Sequence, residues 1–487
     1  MMNFMFASQI DKNRVVELPV SGDPTISFRI MFYAGSQYDP AGKEGLSYLT
    51  TQLLSEGSTT ENSLDNILKK LFPLAASISV QSGREITALN GRIHKDNLSQ
   101  YFPLFTGQIL KPAFKEDEFN RIKAETLSYL TTALKYSSDE ELGKAALYNT
   151  IYAGSPYAHP DQGTIEGVKS ITLEDVRGFY NKFYNRNNFV IGIGGGYGAE
   201  CLEDLWSNLQ KLSEGSRAVP PEIKVPEIKG LNVVIVEKSA KATAISIGAP
   251  IDLVRGSKDW YALAVANSWL GEHRNSSSHL YNVIREQRGL NYGDYSYIEN
   301  YPNGGRLQLP AVNVPRRFHL FEIWIRPVPN ETAHFALRAA LRELQRLIDK
   351  GLTEEQFNLT KNFLSKYILH YAPTTNKRLG YALDDKFYGL NPGHLEKYSK
   401  ALSELTLQDV NTAIKKYLQY KNLVIAFITQ NSENLKKNLV ENLPSPIKYS
   451  TPKDDSVMKE DIEIQNYPLT ISADNLKIIP LDKVFIR

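Results

Sequence analysis

The chain repeats itself. Residues 171–191 and 405–425 align without gaps at an offset of 234. Each segment opens on a Thr-x-x-Asp helix start, Thr172/Asp175 and Thr406/Asp409, a short-side-chain form of the capping box. Each continues as an amphipathic helix and ends in an apolar strand, at residues 189–193 and 423–427. Upstream, residues 118–123 match 356–361 at an offset of 238, each opening a long helix. Two matches in the same order at nearly the same offset indicate duplication. The chain must then fold as two similar units.

The boundaries follow. The first half runs over residues 1–220 and the second over 230–440, joined by a linker at 221–229. The prolines at its start and within it, Pro220, Pro221 and Pro226, favour an extended chain. Strand-like runs at 26–32 and 76–80 and helical patterns at 46–71 and 117–185 give an α+β class. Each half is expected to be an antiparallel-rich sheet with helices on one face. Residues 441–487 are read as a strand-like strap over the C-terminal half.

Composition narrows the function classes. A net charge of +2 argues against a general affinity for nucleic acid. No apolar run approaches the ~18 residues that span a bilayer. Cys201 is the only cysteine, so no disulfide or thiolate cluster forms within the chain. The first eight residues lack the features of a signal peptide. The expected compartment is the cytoplasm if the sequence is complete, and the periplasm if a signal has been removed.

Several local patterns carry little chemistry. The glycines at 192, 194, 195, 196 and 198 suggest a nucleotide loop, but they end a strand that follows a helix, and residues 424–430 of the other repeat have none. They are read as a permissive turn. No two of the eight histidines are three or four residues apart, so none makes a same-face helical zinc pair. His159 is read as holding its loop by hydrogen bonding.

Residues 284–292 are different. Leu280, Val283 and Ile284 recur at helical spacing, Gly289 is a helix stop, and Tyr292 opens an aromatic-alternating run read as a strand. Arg285 and Tyr292 thus flank a tight turn. Together they offer donors for a carbonyl or a developing oxyanion. The alternative is a surface arginine beside a core tyrosine.

A repeated half of this size, with Ile284-Arg285-Glu286-x-x-Gly289-Leu290-x-Tyr292 in the second copy, resembles the insulinase-like (M16, pitrilysin-type) metallopeptidases. Residues 33–36, 45–46, 152–160 and 171–180 carry further landmarks of that family. The resemblance implies an inverted zinc motif, H-x-x-E-H, on the helix after Gly45-Leu46. Here Tyr48 and Gln52 stand at the two histidine positions and Thr51 at that of the glutamate base. A third, glutamate ligand would fall near Glu125. Tyrosine and glutamine are poor zinc ligands, and threonine cannot activate a zinc-bound water. The expectation is no metal and no cofactor on this chain.

Arg285 and Tyr292 do match the family pattern, in which such a pair orients substrate and stabilises the tetrahedral intermediate. Some bacterial members divide the work between a zinc-bearing subunit and an Arg/Tyr-bearing one. The resemblance therefore implies the second kind of subunit. Its partner would be a homologous subunit carrying H-x-x-E-H and the zinc, and its substrate a peptide or unfolded protein added as a strand to a sheet edge. The alternatives are a non-enzymatic structural homologue, like the core subunits of respiratory complexes, and a peptide-binding homodimer.

Overall fold

The computed structural model describes residues 9–487. The segment read for an export signal lies outside the described residues. The first half contributes β1 (Val15–Pro19), β2 (Thr25–Phe32), β3 (Ser77–Ser82), β4 (Thr87–His94) and β5 (Phe189–Gly195), in the order β1-β5-β2-β4-β3. The second contributes β6 (Asn232–Glu237), β7 (Ala242–Ile251), β8 (Asp294–Tyr297), β9 (His319–Pro329) and β10 (Val424–Thr429), in the order β6-β10-β7-β9-β8. The two orders are the same. In each half the first and last strands pair parallel and the remaining neighbours pair antiparallel.

The duplicated segments form the same local structures. Thr172/Asp175 and Thr406/Asp409 both close complete capping boxes. Lys123 donates to the carbonyls of Lys169 and Ile171, and its counterpart Lys361 to those of Ser403 and Leu405. Each lysine caps the helical turn before a capping box, where carbonyls otherwise lack partners.

Helices cover both faces of each sheet, not one, and the helix on the second face comes from the other half. Asp139–Ile151 lies against β7 and β10, and Thr375–Tyr388 lies against β1, β2 and β5. Strand alternation makes this possible. In β2, Phe28, Ile30 and Phe32 enter the first half's main core, while Met31 meets Leu383 on the opposite face. In the second sheet, Val234, Ala244 and Ala426 join the first half's core across Asp139–Ile151, while Ile235, Ile245 and Phe427 face the second core.

This exchange also explains the first glycines of the run; only Gly196 and Gly198 lie in the connection leaving the strand, where the sequence suggests a turn. Gly192, Gly194 and Gly195 lie within the buried strand β5. A Cβ on Gly192 would stand 2.9 Å from Leu383 Cδ1 and 3.3 Å from Leu379 Cδ1. The strand lacks side chains there so that the exchanged helix can approach.

The C-terminal segment does more than strap the second half. It forms a helix, Asp455–Gln465, and then β11 (Leu476–Pro480), which pairs parallel with β6. The chain next crosses to the first half. There the carbonyls of Phe485 and Ile486 accept from the amides of Ile165 and Glu166, both at 2.9 Å. Phe485 is buried in the first half's core. No helix among the described residues is long and apolar enough to cross a membrane.

Candidate functional site

A groove between the halves encloses about 250 Å³ and is lined by Tyr48, Gln52, Tyr129 and the edge-strand residues Val80–Ser82 from the first half, and by residues 300–303 and Arg316 from the second. Tyr48 and Gln52 come from the helix Leu46–Glu56, whose entry is fixed by Asp39. That carboxylate accepts from the Gly45 and Ser47 amides at 2.7 Å each, satisfying amide donors at the helix start. Gly45 adopts φ +108°, and a Cβ there would press on the Gln162 carbonyl at 2.6 Å.

Thr51 is fully buried and points into the core. Its hydroxyl donates to the Ser47 carbonyl at 2.7 Å, and sits 3.0 Å from the Tyr184 hydroxyl and 3.3 Å from that of Thr87. Where catalytic relatives are expected to carry a base, this chain has a structural hydroxyl.

The third position also differs from expectation. Glu125 is 58% exposed and pairs with Arg121 at 3.0 Å. The side chain that joins Tyr48 and Gln52 on the groove wall is Tyr129, from a wide helical turn at Tyr129–Ala133. Counting residues along a regular helix does not reveal it, because an i→i+5 turn shifts which side chains face the groove. Burial, reinforced by Glu141 and Tyr48, pushes the Tyr129 phenol up to about 12. Burial, with Glu56, also raises that of Tyr48. Both phenols are therefore neutral at neutral pH and poor metal ligands. Two neutral phenols, a carboxamide and a core threonine do not fit a catalytic zinc. Among the described residues, no three His, Cys, Asp or Glu side chains converge as a metal site.

The groove floor is charged. Arg84 and Arg316 are buried and flank Asp161 at 3.5 and 3.8 Å. Lys144 donates to the Tyr301 carbonyl at 2.6 Å and lies 4.6 Å from the Trp324 ring. The β3 edge borders this floor, with β4 on one side and, among the described residues, no strand on the other. His159 holds its loop through the Pro160 carbonyl, 2.8 Å from Nδ1.

Arg285 and Tyr292 are brought together, but not at this groove wall. Arg285 is the penultimate residue of the wide turn Tyr281–Glu286, which also holds the buried Val283 and Ile284. Gly289 takes φ +71° and stops the helix. The strand starts only at Asp294, so Tyr292 belongs to the connection and is 79% exposed, not a core residue. The Arg285 guanidinium carbon stands 5.8 Å from the Tyr292 ring centre, and its Nε is buried without a hydrogen-bond partner.

Two residues that carry no signal in the sequence fix the turn. Arg288, 2% exposed, donates to the Val283 carbonyl at 2.7 Å and to Asp461 and Glu460 at 2.8 Å each, tying the turn to the helix Asp455–Gln465. Asn291 donates to Asp294 at 2.8 Å and to the Arg326 carbonyl at 3.0 Å. Their roles are hidden in the sequence because the partners that tie the turn to the rest of the fold, Glu460, Asp461 and Arg326, come from distant segments.

Comparison with known proteins gives the family. Residues 15–164 match the model of the insulinase family, peptidase family M16, and residues 170–364 match that of the peptidase M16 inactive domain. The "Non-peptidase homolog YmxG" of Helicobacter pylori is 22% identical over 407 residues, covering 83% of this chain and 89% of that protein. An "Uncharacterized zinc protease" of Rickettsia felis is 23% identical over 358 residues, covering 71% and 78%. The crystal structure of a peptidase M16 inactive domain from Pseudomonas fluorescens superposes with a TM-score of 0.75 at 23% identity, covering 85% of this chain and 95% of that one. With two matching halves, a shared strand order and a groove where the family's zinc helix should lie, this chain belongs to the M16 peptidase family.

Proposed function

We propose that this chain is a non-peptidase M16 homologue that holds extended polypeptide in the groove between its halves without cleaving it. One observation carries the reading. The helix that would bear the zinc presents Tyr48 and Gln52 to the groove and turns Thr51 into the core. The open β3 edge supports the binding mode, since a peptide can add there as a further strand. The test pairs elemental analysis with hydrolysis and anisotropy assays on an unstructured fluorescent peptide. The expected result is saturable binding, no hydrolysis with or without added zinc, and substoichiometric zinc. Hydrolysis lost on Tyr48→Ala, or one bound zinc per chain, overturns the reading.

The exposed Arg285–Tyr292 pair favours a second reading, in which a homologous subunit carrying H-x-x-E-H and zinc docks on this chain. An arginine side chain one-third exposed next to an exposed phenol offers a donor set for a developing oxyanion. In the mixture with such a subunit, Arg285→Ala should lower kcat about 10²–10³-fold, the loss of one oxyanion donor. Full activity in the Arg285→Ala/Tyr292→Phe double variant eliminates this role.

A further inference from the structure

A second cavity, of about 70 Å³, lies inside the second half and shares Tyr301 with the groove. By the same measure a single water needs about 10–15 Å³, so several heavy atoms fit. Its wall includes Trp260, Tyr301, Tyr371 and Tyr398, together with the carboxylate of Glu272. Glu272 follows directly on the helix Lys258–Gly271.

The charge balance around Glu272 is unusual. The carboxylate is held by Ser268 and the His273 amide, and burial raises its pKa above the usual carboxylate range. Four phenols lie within its electrostatic reach, those of Tyr301, Tyr367, Tyr371 and Tyr398. No cation among the described residues answers it. Arg255, the arginine on the cavity wall, is committed to Glu299 through Nε and Nη2 at 2.8–3.2 Å. The neighbouring Arg274 donates to the Gly305 carbonyl at 2.7 Å. The two histidines on the wall are neutral. Burial lowers His273 to about 4 and His394 well below its ordinary value. Four polar atoms of wall residues lack a partner, the acceptor Asn267 Oδ1, the Tyr301 hydroxyl, His394 Nδ1 and the Trp260 indole N–H, and Tyr301 is only 6% exposed.

We propose that this cavity is a binding site for a small alkylammonium cation, with Glu272 as the counter-ion and the aromatic walls as the cation-stabilising cage. A partly buried carboxylate in an aromatic pocket favours a paired charge, and an ammonium group among indole and phenol rings gains attraction that a neutral group of the same shape does not. The unpartnered acceptors match the N–H donors of a primary ammonium. The site includes neither the Tyr48–Gln52 wall of the groove nor the Arg285–Tyr292 pair.

The test is calorimetric titration of the full chain with methylammonium and with tetramethylammonium at constant ionic strength. tert-Butanol serves as the neutral counterpart. Saturable one-to-one binding of at least one cation, weakened tenfold or more by Glu272→Gln, is expected. Tighter methylammonium binding identifies a primary amine as the natural guest, and tighter tetramethylammonium binding a quaternary one. Because Glu272→Gln preserves shape, its unfolding midpoint is measured alongside, and Tyr371→Leu provides a second, cage-directed variant that should also weaken binding. Absence of saturable binding by either cation, equal binding of tert-butanol, or unchanged affinity in Glu272→Gln overturns the proposal.

Discussion

Thr51→Val tests whether the position of the family's base has become part of the core. The change keeps the β-branched shape and replaces a hydroxyl by a methyl, so helix propensity and packing volume barely change. What is lost is specific. The Thr51 hydroxyl bonds Ser47 at 2.7 Å and Tyr184 at 3.0 Å, and both Thr51 and Tyr184 are fully buried. Tyr184 keeps only Thr87 as a side-chain partner. A net buried hydrogen bond contributes about 0.5–1.5 kcal/mol, and a poorly satisfied buried hydroxyl costs about 1–3 kcal/mol. Burying a methyl returns about 0.8 kcal/mol. The net expectation is a loss of about 1–2 kcal/mol. Guanidinium denaturation followed by circular dichroism measures it, and hydrogen exchange of the Leu46–Glu56 amides localises it to the first half. Tyr184→Phe closes a double-mutant cycle. Because removing both partners leaves neither orphaned, the double variant should be less destabilised than the sum by about 0.5–1.5 kcal/mol. An unchanged midpoint for Thr51→Val, or an additive cycle, would refute the reasoning. It follows that Thr51→Glu would place a carboxylate in this dry hydroxyl network, so a single substitution does not restore a base.

Two further outcomes are expected. Burial holds the fully enclosed His319 at about 4, against 6.5 in an unfolded chain. Below pH 6.5 the unfolded chain takes up a proton that the folded chain refuses, so this residue's contribution to stability falls as pH drops towards 4. Relative to His319→Gln, the wild type should lose up to about 3 kcal/mol across that window in denaturation series; parallel pH profiles for the two proteins would contradict it. Phe485→Ala removes a side chain buried in the first half's core and should cost about 3–5 kcal/mol. Amide exchange at Ile165 and Glu166 should quicken with it, and unchanged exchange there would mean the tail does not fasten the first half.

Much of the architecture is legible in the sequence because it is written in short-range signals. Capping boxes, helical periodicity and strand alternation depend on residues within a few positions of one another. Duplication doubles each signal at nearly the same offset, so Thr172/Asp175 and Thr406/Asp409 stand out as matched helix starts from their residues alone. The replaced zinc motif at Tyr48, Thr51 and Gln52 is legible because it too occupies a few consecutive positions. The exchange of Asp139–Ile151 and Thr375–Tyr388 is not, because amphipathicity states that a helix has an apolar face and not which sheet that face will meet. The glycines of β5 mimic a turn for the same cause: their partner, Leu383, is far along the chain.

By itself, then, the sequence determined two similar α+β halves, an Arg285–Tyr292 pair across a turn, and a metal helix without metal ligands. Tertiary structure decided the rest. It turned Thr51 into the core, put Tyr129 in place of Glu125 on the groove wall, exposed Tyr292, and left Glu272 without a cation among aromatic rings. Each of these depends on which distant segments close around a side chain, and therefore on burial and charge pairing that no local pattern encodes.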